Sequence, residues 1–284
     1  MMRRMLNCAA RRFLLVVAFL VVAGCGWRTD AEDTPKSRSV SDVLTGFHAE
    51  SWRDRQTAFY ELLDLGAGGK YAGRTDLVPS ILSSLNRSNP EKTDEIRLAL
   101  IGLLSTENSF VQSERSEYAR TGATLSEEYI NYYGDVIAAV TSLNDKRSIA
   151  ALLDAITTGG MVTRALAQFG SEALPALVEK LKDRDPLVRS AATIAISGML
   201  DSEDGRKSPS IRTQIREVLV RSARDEDPNV RITAVTHLVR LGDHGVRAIV
   251  ERIARDDSYE VISEQGRAVF PVREAAKRAL QLRP

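Results

Sequence analysis

Asp185-Pro-Leu-Val-Arg189, Asp227-Pro-Asn-Val-Arg231 and Val269-Phe-Pro-Val-Arg273 are three versions of one phrase, each followed by an alanine-rich apolar run, and their arginines fall 42 residues apart. A fixed period of that length describes a stack of helical units, none of which can bury its apolar face alone. In the first two phrases the aspartate is a short acceptor suited to capping a helix N-terminus. Pro186 and Pro228 then occupy the first helical position, where a missing N–H costs nothing. The arginine follows four residues after the aspartate, one turn on, and this spacing predicts an ion pair within the phrase.

From each arginine, small or apolar residues recur at helical spacing: Ala192, Ala195, Ile196 and Met199 in one unit, and Ala234, His237, Leu238 and Leu241 in the next. Ala276, Ala279 and Leu280 keep the pattern, and Arg283 breaks it. The register also appears upstream, at Arg55 with Ala58, Leu62 and Leu65, and at Arg97 with Leu100, Leu103 and Leu104. A periodic apolar stripe of this kind defines one helix face turned to a core.

The Asp-Pro-x-Val-Arg opening, the alanine-rich helix after it and the Leu-Gly endings at Leu65-Gly66 and Leu241-Gly242 resemble HEAT repeats, in particular the variety found in phycobilisome lyases. Residues 170–181, Gly-Ser-Glu-Ala-Leu-Pro-Ala-Leu-Val-Glu-Lys-Leu, look like that family's first helix. The resemblance spans roughly residues 43–284 and is clearest over 146–284. It implies an all-α, right-handed α-α superhelix, a HEAT-like solenoid of about six helix pairs. Asp185, Pro186, Arg189, Asp227, Pro228, Arg231 and Arg273 are then structural residues of the repeat. The unit ending at Phe169-Gly170 is short, with Gly159 where the arginine would fall, and the polar stretch at 105–127 reads as an inserted loop or frayed helix able to carry specificity.

Arg3, Arg4, Arg11 and Arg12 precede an apolar run from Phe13 to Ala23, too short to span a bilayer and suited to an export signal. Val22-Ala23-Gly24-Cys25 resembles the bacterial lipoprotein box, which implies cleavage after residue 24 and a diacylglyceryl group on Cys25. Gly26 follows, with no aspartate of the kind that retains such proteins in the inner membrane of enteric bacteria, so outer-membrane sorting is implied if two membranes exist. Residues 25–42 are polar and read as a flexible tether between that anchor and the solenoid. The only other cysteine, Cys8, lies in the segment expected to be removed, so the mature chain has no disulfide partner.

Removing those four arginines from the 39 basic residues leaves 35 against 38 acidic ones, a balance that predicts no bulk affinity for nucleic acid. His48 and His244 are expected near helix starts and solvated, and His237 as a hydrogen-bonded core histidine. No His-Glu pair or metal-ligand spacing occurs, and Gly66-Ala-Gly-Gly-Lys-Tyr-Ala-Gly73 lacks the lysine spacing of a phosphate loop and reads as a turn. Tyr129, Tyr132, Tyr133, Val136, Ile137, Val140 and Leu143 read as core. No cofactor is expected, nor a catalytic residue. Deoxyhypusine hydroxylase is similar in its repeats but binds iron through His-Glu dipeptides, and bilin lyases work inside cells. The reading is a noncatalytic adaptor for an unidentified protein partner, lipid-anchored to the cell membrane or outer membrane, with a structural envelope linker as the alternative. Outward positions on the last three second helices, Thr193, Thr236, Arg240, Lys277 and Arg278, are the expected contact surface.

Overall fold

A computed structural model describes residues 38–121 and 124–282, without side-chain detail for 116–121. The signal segment, Cys25, most of the tether and Arg283 lie outside the described residues. The helices are α1 (Val40–Thr45), α2 (Trp52–Ala67), α3 (Val78–Ser88), α4 (Thr93–Thr121), α5 (Glu127–Ser142), α6 (Ile149–Asp154), α7 (Gly160–Gln168), α8 (Leu174–Lys180), α9 (Pro186–Gly198), α10 (Glu203–Lys207), α11 (Pro209–Ser222), α12 (Pro228–Leu238), α13 (His244–Asp256) and α14 (Pro271–Gln281). Six pairs result: α2/α3, α4/α5, α6/α7, α8/α9, α11/α12 and α13/α14. Their second members form an inner row in which each helix packs on the next. The first members lie outside, α1 packs on α2, and the short α10 leads into α11.

The fold is thus an all-α solenoid. The described β structure is one two-residue antiparallel pairing, β1 (Val261–Ile262) with β2 (Ala268–Val269), in the α13–α14 connection. Its core is continuous along the array, from Phe59, Leu62 and Leu100 through Val136, Leu166 and Ile196 to Leu238 and Ala276. The tyrosine-led stripe of α5, Tyr129 to Leu143, is buried as its spacing predicts. The turn expected over Gly66 to Gly73 begins later: Gly66 and Ala67 still belong to α2, which Gly68 closes in the left-handed region.

Asp185 and Asp227 cap α9 and α12, accepting from the backbone N–H groups of Leu187 and Asn229 at 2.8 Å, with proline in the first turn of each. The arginines behave differently from the expectation. Arg189 donates from Nε and a terminal nitrogen to both oxygens of Asp225 at 3.0 and 2.7 Å, and Arg231 does the same to Asp257 at 2.9 and 3.2 Å. Each therefore reaches the following unit rather than its own capping aspartate. The other terminal nitrogen of each closes its own turn by bonding two carbonyls, those of Asp183 and Arg184 for Arg189 and of Asp225 and Glu226 for Arg231. Arg273 instead donates to the Asp257 carbonyl and lies over the Phe270 ring.

Arg55 makes the same set of bonds, to Glu107 and to the carbonyls of Ala49 and Glu50, but it sits on α2, an outer helix. Arg97 is likewise on the outer α4. The shared register therefore does not mean a shared row: the array changes phase between Arg97 and Arg189, through the short α6/α7 unit. Of the inserted loop and the frayed helix expected over the 105–127 stretch, the described part up to Thr121 is helix. α4 runs through it to Thr121; Ser105, Thr106 and Ser109 bond back to carbonyls four residues earlier, and Glu107 and Asn108 turn into the core.

Candidate binding groove

Inner-row helices leave seams between them, and what lines the seams follows from which face each helix cannot bury. On α7, Val162, Ala165 and Leu166 are buried, so Met161, Arg164 and Gln168, spaced three and four residues apart, remain outside. Gly159 caps the start of α7, with a φ of 138° that is open to glycine and strained for other residues. A Cβ on Gly198 would stand 2.9 Å from that of Ala167, so α7 and α9 meet through small residues.

Two open cavities follow. One, of about 520 Å³, is bounded by α7, α9 and α12 and lined by Arg164, Gln168, Ile194, Ser197, His237 and Arg240 among others. The other, of about 800 Å³, lies over α3, α5 and α7, with Asp76, Ala138, Thr141 and Met161 in its wall. Arg164 and Gln168 line both, so the cavities form one groove across five inner helices.

Charges along the groove are mostly satisfied internally. Arg240 donates to Asp201 at 2.5 Å, tying α12 to the turn after α9, and Arg74 holds Asp76 at 2.7 Å. The hydrogen bond from Arg74 is the main reason the Asp76 carboxyl lies below its ordinary range. Arg164 is exposed and has no hydrogen-bond or ion-pair partner among the described residues. His237 is half-buried in the groove wall with Nδ1 unpartnered, so the expected hydrogen-bonded core histidine is corrected. Burial, and then Arg240, holds its pKa below the usual value.

Of the expected contact residues, Arg240 lines the groove. Thr236 is exposed, with its hydroxyl bonded to the Ile232 carbonyl, and Lys277 and Arg278 are exposed on α14, Lys277 paired with Glu274. Thr193 is corrected: it is fully buried, donating to the Arg189 carbonyl and meeting the Ser222 hydroxyl. One helical step separates it from Ile194, which does face the groove. His48 ends the 3₁₀ turn just before α2, and His244 opens α13; both are exposed, as expected of positions near helix starts.

Behind the groove two carboxylates are buried. Glu107, fully buried, takes the Arg55 guanidinium at 2.5 Å and the hydroxyls of Tyr129 and Tyr132 at 2.9 and 3.0 Å. Burial, then the Glu107 charge, raises both tyrosine pKa values. Asp135 accepts from the hydroxyls of Thr75, Tyr60 and Tyr71, which fastens the α2–α3 connection to α5. Burial, then Asp135, pushes Tyr60 up to about 12. The described residues contain no group of three or more His, Cys, Asp or Glu placed to hold a metal ion.

Family models for HEAT repeats match residues 205–269 and 173–202, and the phycobilisome (PBS) lyase HEAT-like repeat matches residues 161–183. The chain contains HEAT repeats. Among solved structures it is similar to a designed armadillo repeat protein (15% identity, 86% of this chain and 99% of that one, TM-score 0.41) and to an engineered protein (19%, 86% and 98%, 0.40). A designed armadillo repeat protein in complex with the peptide (KR)4 is also similar (14%, 86% and 100%, 0.41). No curated protein matches the sequence.

Proposed function

We propose that the protein is a noncatalytic scaffold, lipid-anchored through Cys25 at the bacterial cell envelope, that holds a protein partner along its inner row. The observation that carries this reading is the groove over α3, α5, α7, α9 and α12, where an unpaired cation and exposed apolar side chains lie on rigid helices. Such a surface suits an extended chain laid across several seams. The anchor rests on the basic start, the short apolar run and Val22-Ala23-Gly24-Cys25. Two or three acyl chains hold a protein on a bilayer where one does not.

A photo-crosslinking residue placed at Gln168, in native membranes, tests the scaffold. It should trap one stoichiometric protein, whereas the same probe at Glu217 on the outer α11 should trap none. Equal trapping from both positions, or attachment to polymer alone, would sink the reading.

A further inference from the structure

Arg164 is a cation that its surroundings leave uncompensated. The two carboxylates lining the groove are already engaged, Asp76 by Arg74 and Asp201 by Arg240, so no internal anion answers it. One turn on, Gln168 is exposed, and its amide has no partner among the described residues. Met161, 45% exposed, lies one turn before Arg164 on the α5 side, and Ile194, 38% exposed, lies on the α9 side, so Arg164 and Gln168 stand between the two. Positive charge, an amide able both to donate and to accept, and two apolar contacts therefore share one stretch of groove.

We propose that this stretch receives an extended segment of a partner protein carrying an aspartate or glutamate flanked by apolar residues. The carboxylate sits on Arg164, a main-chain amide bonds Gln168, and the apolar neighbours cover Met161 and Ile194. A guanidinium pairs two-pronged with a carboxylate, which orients the segment as well as attracting it. A basic segment would meet Arg164 and Arg240 with no free carboxylate to bind. Nucleic acid is disfavoured for a different reason: phosphate backbones need several free cations in a row, and the groove offers one.

This inference rests on the scaffold reading, and one experiment separates the two. Full-length protein in detergent micelles is used to select from a random short-peptide library, and the selected peptides are measured by fluorescence polarisation against wild type, Arg164→Glu and Ile194→Glu. Arg164 is exposed, so reversal should leave the thermal melt unchanged. Selected peptides should carry an acidic residue between apolar ones, bind Arg164→Glu at least about tenfold more weakly, as replacing a two-pronged charged pair by like charges implies, and regain affinity for that variant when their acid is changed to lysine. Peptides that lose binding to Ile194→Glu yet are indifferent to Arg164→Glu would overturn the acidic segment and leave the scaffold standing. Failure to select any peptide would overturn both.

Discussion

Arg189 shows how one side chain can hold two units together. Its guanidinium closes the turn ahead of its own helix and reaches into the next unit for Asp225, with only 8% of the side chain exposed. Arg189→Met should therefore destabilise the protein by about 3 kcal/mol, because Asp225 and two carbonyls lose their donors in a half-dry setting; urea unfolding measures this. Glu107→Leu should cost more, about 4 kcal/mol, since it strands the buried Arg55 charge. Asp145 supplies a pH signature. Its hydrogen bonds with Arg147 lower its pKa from 3.8 to about 2. Between those values the unfolded chain holds more protons than the folded one, so stability is complete above about pH 4 and is lost as pH falls toward 2. The stability gap between wild type and Asp145→Asn should close over that window in thermal melts. A gap that stays constant from pH 5 to pH 2 would contradict the assignment. Sequence spacing identified the arginines but chose the wrong carboxylate. Asp185 already binds the Leu187 N–H, and a spacing rule cannot see a partner 36 residues away.

At the scale of the element, the alanine-rich helices, their Asp-Pro starts and the tyrosine stripe of α5 were all legible, because capping chemistry and periodicity are local. The row in which a helix sits was not. Inner and outer helices carry the same apolar spacing, so Arg55 and Arg97 looked equivalent to Arg189. The groove residues of α7 escaped for a related reason: that unit has no arginine phrase to set a register, although Met161, Arg164 and Gln168 alternate with buried positions and could have been found as the complementary stripe. The two Leu-Gly endings also prove different. Gly242 takes a left-handed φ of 71° after Leu241, while Gly66 lies inside α2, where a Cβ would stand 2.8 Å from the Ile81 carbonyl oxygen and 2.9 Å from its Cγ2. Gly66→Ala should push α2 from α3 and cost about 1–3 kcal/mol, lowering the melting temperature. An unchanged melt would mean that the α2–α3 contact yields freely.

For the whole molecule, the all-α stacked architecture follows from the 42-residue period, since a unit of that size must share its hydrophobic face. The proposed envelope location depends on residues outside the described part of the chain and is tested chemically. Metabolic labelling with a clickable fatty acid should mark the protein, and Cys25→Ser should remove the mark and release the protein from membranes; label retained on the variant would contradict the anchor.

The bridges from Arg189 and Arg231 also bear on mechanics. Tension applied along the array loads the seams before it loads the helices, because a helix must break its own ladder of bonds to lengthen while a seam need only tilt. Ion pairs of about 3 Å tolerate little tilt, so the segments around Asp225 and Asp257 act as stiff joints. The short α6/α7 unit lacks that arginine, and there Arg147, paired with Asp94 of α4 at 2.6 Å, and Asn108, bonded to the Ala151 carbonyl, carry the load across the seam instead.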